Sequence, residues 1–499
     1  MTLDVAAVLM GTGARVVRVA SDGSRSEQEL IASDLVRSFH GVSIDSRTIH
    51  QDDLFVALAG ERADGHEFVS AALHGGARGA IVARVPEIET GSMSAPFYLF
   101  VAADALSALQ SLAEYWRTRH SASIVGVTGS IGKTTTKDIV ASVLATKWPV
   151  LWSEGNLNSE IGLPLTLLRL DERHRAGVFE MGMYAPGDIK LLAKIARPDI
   201  GVVTTVAPVH LERMKSVEAI AREKSRLIQA LPSNGLAVLN ADDPWTRAMA
   251  KTSGTAKLVL VGLASDADYR ADELEPRGLE GMSFVIRAES QSFPVQSRVP
   301  GAHTVNALLS ATAIARSMGM SWDEIMPALQ QVKLESRQRL FHLRHDVLLI
   351  DDSYNAAPPS VLAALELLRS TSGTKVAVLG DMLELGDFEE DAHREIGARV
   401  GQAADWLVVR GERARWIAEQ ASHEGLAEER ILTAETNLDA ISKVRAIVGA
   451  RVETAAPSHT MHRRDGLTET ASNGCAILIK GSRGMRMEEI VQGLRDEAW

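Results

Sequence analysis

A single cysteine, Cys475, stands among 499 residues, so no internal disulfide holds this chain together. That usage fits a reducing compartment. Cys475 opens the apolar run Cys475-Ala476-Ile477-Leu478-Ile479, which reads as a buried strand rather than the setting of a nucleophile. An excess of positive charge is missing too: 53 Lys and Arg stand against 64 Asp and Glu, a net charge of −11. This balance argues against a general nucleic-acid-binding or acidic-membrane surface. It leaves room for a local basic pocket around a phosphorylated substrate. No apolar run approaches the ~18 residues of a membrane helix; the longest, such as Leu258 to Ala264, have strand length. Asp4 and no basic region precede Val5 to Met10, so the opening segment does not read as a signal peptide. No internal repeat is visible. The expectation is a cytoplasmic protein with no membrane insertion and no nucleic-acid partner.

What is present is an ordinary globular composition, 45% hydrophobic and 23% charged. The length suits about three domains at the usual ~150 residues each. The most informative stretch is Ser123 to Thr136. A β-branched strand, Ile124 to Val127, runs into the loop Gly129-Ser130-Ile131-Gly132, and a helix follows with Ile139, Val140, Val143 and Leu144 at helical spacing. Glycines allow the sharp turn that aims backbone N–H groups at one point, and the helix adds its positive dipole end. Lys133 supplies a mobile cation, and the Thr134 hydroxyl can sit on a phosphate-bound Mg²⁺. Two residues lie between Gly129 and Gly132 where the common phosphate loop has four. Strand, loop and helix together predict nucleotide binding.

In order, residues 1–103 form a first unit. The stretches Gly41 to Arg47 and Asp53 to Leu58 read as two short strands flanking a polar turn, with Ser46 and Arg47 as its candidate ligands. That pair could grip a phosphate or a nucleobase, or could be a plain turn with a surface salt bridge. A second unit, 104–338, opens with an amphipathic helix from Asp104 to about Arg119. Strands Gly177 to Met183, Ile200 to Val206 and Leu236 to Leu239 then alternate with helices, the pattern of a parallel sheet. Residues 262–300 read as a weaker region of short alternating strands. A helix runs from about Gly301 to Met318, with His303 and Asn306 near its start. The third unit, 339–499, repeats the alternation with strands Val347 to Ile350, Val376 to Leu379, Trp406 to Val409 and Ala476 to Ile479. Polar residues follow its strands, among them Asp352, Asn355, Asp381 and Lys480. Residues 451–473, with His459 and His462, read as a surface loop rather than a metal site.

Ligands of parallel sheets gather at the carboxyl ends of strands. Glu180 and His210 lie there, beside the phosphate loop. A carboxylate ending a buried strand is costly alone, and a metal or a basic partner would offset the cost. His210 is balanced between a ligand and a structural residue. Lys224 shares its helix with Ile220, Leu227 and Ile228, and locally it reads as a surface lysine.

At this point the residues resemble the Mur ligases, ATP-dependent amide-forming enzymes of bacterial cell-wall precursor synthesis. The resemblance spans essentially the whole chain. It rests on Thr128-Gly129-Ser130-Ile131-Gly132-Lys133-Thr134-Thr135, on Gly155-Asn156-Leu157-Asn158 with Ile161 to Pro164, on Glu180 in Glu-Met-Gly-Met, and on His210 followed fourteen residues later by Lys224. It implies three α/β domains: a smaller N-terminal one that binds a UDP substrate, a central parallel-sheet ATP-binding one with the phosphate loop, and a Rossmann-like C-terminal one. It implies Mg²⁺ at Thr134, Glu180, His210 and Lys224, as two ions, with Lys224 carbamylated. Lys133, Lys224 and His210 are the implied catalytic residues. Gly129 through Thr135, Asn306, Arg339 and Asp352 are implied at ATP, and Ser46, Arg47, Asn156, Asn158 and Asn355 at the other substrates.

Asp351-Asp352-Ser353-Tyr354-Asn355-Ala356-Ala357-Pro358 and Leu379 to Gly386 resemble the branch that adds D-alanyl-D-alanine to UDP-N-acetylmuramoyl-tripeptide. The same stretch disfavours a diaminopimelate-adding or folate-polyglutamating ligase. A scaffold that had lost catalysis is disfavoured by the intact Lys133, Glu180, His210 and Lys224. The resemblance has two departures. His303 and Asn306 are three apart where the family has four, so Asn306 meets the base differently or the helix starts later. The 451–473 segment has no counterpart. No coiled coil or long apolar edge is present, and a monomer is expected.

Overall fold

The structure, a computed structural model, describes residues 3–20, 24–26, 32–60, 63–88, 95–209, 211–252, 254, 256–332, 339–454 and 474–496. Three large sheets carry it. The first has the strand order Arg25–Ser26, Arg15–Val19, Phe97–Val101, Gly79–Val82, Leu54–Val56, Val42–Ser43. Phe55, Phe97, Tyr98, Leu99 and Phe100 are buried in it on both faces, which is why these runs are continuously apolar rather than alternating.

The helix Ala105–Thr118 leads out of this sheet. Asp104 caps it, accepting from the Ser107 N–H at 2.7 Å. Ala105, Ala108, Leu109, Leu112, Ala113 and Trp116 fall on one stripe and are buried. The helix packs against Val5–Thr12 on one side and against Gly162–Leu167 and Asp188–Ala196 on the other. One apolar cluster therefore runs from Val5 and Phe100 through Leu109 to Ile124, Phe179 and Leu227.

The central sheet has nine strands in the order Val150–Trp152, Ala176–Glu180, Ser123–Thr128, Ile200–Val203, Leu236–Asn240, Lys257–Gly262, Tyr269–Pro276, Met282–Ala288, Gln291–Ser297. The first seven are parallel and the last two antiparallel. The chain builds to one side of Ser123–Thr128 and then crosses to the other, and the crevice at such a reversal is where parallel sheets bind ligands. The phosphate loop emerges there. The C-terminal sheet repeats the plan in six strands: Arg339–Leu343, Val347–Asp351, Cys475–Lys480, Thr374–Gly380, Trp406–Arg410, Ile431–Ala434. Cys475 is buried, and burial pushes its thiol up to about 11, so it is a strand residue and inert.

Several expectations shift in detail. The strand expected to Val206 ends at Val203, because Thr204 and Thr205 turn to bond the phosphate loop. Residues 262–300 form an antiparallel meander that widens the central sheet. The helix expected from Gly301 is a 3₁₀ turn, Ala302–Thr304, followed by Val305–Ser317, so it does start later. Arg339–Leu343 and Ile431–Ala434, edge strands half open to solvent, went unrecognised. Residues 451–454, expected in a loop, belong instead to the helix Asn437–Thr454. Residues 455–473, with His459 and His462, lie outside the described residues.

Leu109 is fully buried in the cluster shared by the first sheet and the central one. Leu109→Ala is expected to cost about 2–5 kcal/mol. It should lower the unfolding of both units in a single transition in denaturant melts. A shift confined to one of two separate transitions would contradict the shared core.

Candidate active site

The phosphate loop is held by its own neighbours. Gly129 has φ +152° and Gly132 +82°, and a Cβ on Gly129 would stand 1.8 Å from the Thr204 hydroxyl. Only glycine fits there. That hydroxyl donates to the Ile131 carbonyl at 2.6 Å, the Ser130 N–H donates to the Thr205 carbonyl at 2.8 Å, and the Ser130 hydroxyl donates to the Ala207 carbonyl at 3.0 Å. With the Ser130 and Ile131 amides engaged by Thr205, the anion cradle falls to the head of the helix Lys133–Ala145. Its first amides have no carbonyl one turn back.

Thr134 lies in that first turn, and its hydroxyl donates to Glu180 Oε2 at 2.7 Å. Asn158 donates to Glu180 Oε1 at 2.8 Å, and the Glu180 N–H donates to the Ser153 hydroxyl at 3.1 Å. Of the two partners expected for Glu180, a metal or a base, the side chains supply no base; neutral donors meet it instead. Two buried hard-oxygen groups at a helix head suit Mg²⁺, which prefers oxygen. Among the described residues no trio of His, Cys, Asp or Glu makes a separate metal cluster. His210 lies outside the described residues. Asn156 is exposed, and its carbonyl accepts the Asn158 N–H at 2.8 Å.

Lys224 corrects the sequence reading: it is 2% exposed, not a surface lysine. At 100° per residue it falls on the stripe of Ile220, Leu227 and Ile228, which packs under the sheet. Burial holds its pKa well below the usual lysine value; the Lys133 charge pushes the same way and Glu223 opposes it. Burial and the Lys133 charge thus both favour the uncharged amine over the ammonium.

Two cavities meet at the loop. The larger, about 490 Å³, runs between the central and C-terminal sheets and includes Ile131, Gly132, Thr135, Asn306, Asp352 and Lys480 in its walls. Asn306 donates to Asn240 Oδ1 at 3.1 Å and Asp242 Oδ2 at 3.3 Å, which ties its helix to the strand ends. Asp352 accepts from Lys480 Nζ at 2.6 Å, both buried. Arg339 is not in the walls of this cleft; its guanidinium is held by Asp351 at 2.7 Å. The smaller cavity, about 170 Å³, opens on Ser130, Lys133, Asn355, Glu384 and Arg483. Ser46 and Arg47 stand apart, in the first sheet's polar turn, where Arg47 pairs with Asp45 at 2.6 Å. Arg47's hydrogen bonds hold the Asp45 carboxyl at about 2.

Sequence reasoning did not single out His393 or the Asp352–Lys480 pair. Asp352 and Lys480 were each visible as strand-end residues; their pairing was not, because Asp351 and Ile479 become neighbours only through sheet register. His393 is fully buried. Its Nε2 accepts the Met382 N–H at 3.0 Å and its Nδ1 bonds the Glu389 carbonyl at 2.6 Å, which fixes the neutral tautomer and the loop after Gly380.

Comparison with known proteins adds three family matches: Mur ligase middle domain over residues 127–315, Mur ligase glutamate ligase domain over 336–483, and Mur ligase family catalytic domain over 38–117. The UDP-N-acetylmuramoyl-tripeptide–D-alanyl-D-alanine ligase of Bacillus subtilis is 34% identical over 463 residues, covering 91% of this chain and 93% of that protein. A MurF crystal structure from Acinetobacter baumannii superposes with a TM-score of 0.83 at 26% identity, covering 100% of this chain and 99% of the other. The MurF ligase from Thermotoga maritima in complex with ADP gives 0.74 at 27% identity, covering 91% and 96%.

Burial lowers the pKa of His393 from its ordinary 6.5. The unfolded chain then takes up the proton first, so stability is lost as pH falls below about 6.5 toward the folded value. Thermal melts between pH 7 and 5 should show the decline. His393→Gln, whose amide oxygen can accept the Met382 N–H without titrating, should flatten it. Equal slopes for both proteins would show that His393 does not titrate in the fold.

Proposed function

The chain belongs to the Mur ligase family, and from that premise we propose that it joins UDP-N-acetylmuramoyl-tripeptide to D-alanyl-D-alanine with cleavage of ATP to ADP and phosphate. One observation carries the reading: the phosphate loop borders both cavities, Ile131 and Gly132 in the larger and Ser130 and Lys133 in the smaller. The larger suits the nucleotide, which ends at the loop. The smaller suits a compact dipeptide, with Arg483 available to its carboxylate and Ala356, Ala357 and Leu383 to its methyl groups.

In this reading a carboxylate oxygen of the tripeptide attacks the γ-phosphorus and ADP leaves. The dipeptide amine then attacks the acyl phosphate carbon, phosphate departs, and the amide forms with loss of a proton. Carboxylate and γ-phosphate repel one another, so the site must concentrate positive charge where they meet. The Lys133 ammonium and the helix head do this from the chain's side. Mg²⁺, held at Thr134 and Glu180, would neutralise phosphate charge. We place a second ion at His210 and a carbamylated Lys224. A neutral buried amine is the form that adds CO₂, its nitrogen bonding the carbon as a proton leaves. Closure of the two sheets over both cavities excludes water from the acyl phosphate.

The proposed units are 1–103 for the UDP moiety, with Ser46 and Arg47, 104–338 for ATP, and 339–499 for the nucleotide and the dipeptide, with Asn355. Asn156 and Asn158 belong with the tripeptide side, and Arg339 with the nucleotide once freed from Asp351. We assign the protein to the cytoplasm as a monomer; no described helix is long and apolar enough to cross a membrane.

Phosphate release that requires both the UDP-tripeptide and D-alanyl-D-alanine is the expected result. Release dependent on diaminopimelate instead would overturn the branch, and none with any such pair would overturn the ligase. Lys224→Ala should lose about a hundredfold or more of activity, with partial recovery in added short carboxylates. Full activity without them would remove the carbamate role.

A further inference from the structure

The loop after the strand Ala176–Glu180 reaches across to the C-terminal domain. The Tyr184 and Ala185 N–H groups both donate to Asp188 Oδ2 at 2.7 Å, which fixes the backbone from which the phenol projects. The Arg213 guanidinium lies 4.4 Å over the Tyr184 ring, a cation–π contact that holds the ring's direction. The hydroxyl donates to Glu384 Oε1 at 2.8 Å. The bond therefore joins the central domain to the C-terminal one.

Glu384 is itself set in place. Its φ is +67°, a left-handed conformation that side-chain-bearing residues rarely adopt. Its neighbour Leu383 donates its N–H to the Ser482 hydroxyl at 2.9 Å, and Met382 donates to His393. Glu384 is also part of the wall of the small cavity, with Lys133, Asn355 and Arg483. A wall of that cavity is thus carried by one domain and anchored by a hydroxyl of the other.

We infer that Tyr184 is a positioning residue for the incoming amine substrate: through Glu384 it sets the shape of the cavity beside Lys133. This rests on the reading of that cavity as the amine site. An incidental contact between an exposed phenol and a carboxylate would not require both ends to be fixed beforehand, and here both are. Tyr184 touches no reacting atom, so its effect falls on binding of the amine rather than on ATP.

Tyr184→Phe keeps the ring and the Arg213 contact and removes only the hydroxyl. The KM for D-alanyl-D-alanine should rise roughly three- to tenfold, with the KM for ATP within about twofold of wild type. Glu384→Gln, which still presents a carbonyl oxygen to the hydroxyl, should raise it less than Glu384→Ala. Combining Tyr184→Phe with Glu384→Ala should add no more than about twofold to Glu384→Ala alone. An unchanged dipeptide KM in Tyr184→Phe, an equal rise for all three substrates, or full additivity in the double variant would overturn the inference. If the wild type uses a different amine, the proposed reaction fails instead, and the same comparison made on that amine decides the role of Tyr184.

Discussion

Glu180 and Lys224 are buried at the centre of this molecule, 3% and 2% exposed. Taking an ionised group out of water is costly unless something compensates. The two are compensated differently. Glu180 is surrounded by donors: Thr134 and Asn158 on its oxygens, with Ser153 fixing its backbone. Lys137, itself buried, donates to the Ser153 carbonyl and extends that chain. Lys224 is pushed toward the neutral amine by burial and by Lys133. The packing of the central sheet holds both groups out of water beside one helix head.

The same device appears twice. In each parallel sheet polar residues sit at the carboxyl ends of strands whose bodies are wholly apolar. In the central sheet these are Glu180, Thr204 and Asn240; in the C-terminal sheet Asp351, Asp352 and Lys480. Thr204 and Asn240 from the first and Asp352 and Lys480 from the second line the larger cavity together. On the proposed reading, chemistry that needs two substrates and a nucleotide is thereby placed between the two sheets. The Tyr184 to Glu384 hydrogen bond links the two beside the smaller cavity.

Much of this was legible along the chain. Runs such as Ile124 to Val127 and Val376 to Leu379 are apolar on both faces because their strands are interior, and interior strands announce themselves. Arg339–Leu343 and Ile431–Ala434 did not, because an edge strand half in water carries Arg, His and Thr like any loop. The meander over 262–300 was visible as alternation, but not as part of the central sheet, since pairing of Val261 with Tyr269 is a matter of register. Lys224 was misplaced although its stripe was in view: spacing showed which residues share a face, and polarity overruled it.

The sequence by itself determined the phosphate loop, the alternation that makes parallel sheets, and the family. Each depends on short-range chemistry, where glycine torsions, helix heads and apolar period act within a few residues. Tertiary structure alone decided that Gly129 must be glycine because Thr204 crowds it. It decided that Glu180 is met by neutral donors, that Arg339 is paired with Asp351, and that the dipeptide-sized cavity has walls from two domains. Burial and partnership belong to whatever packs opposite a residue, and that neighbour comes from tens or hundreds of residues away.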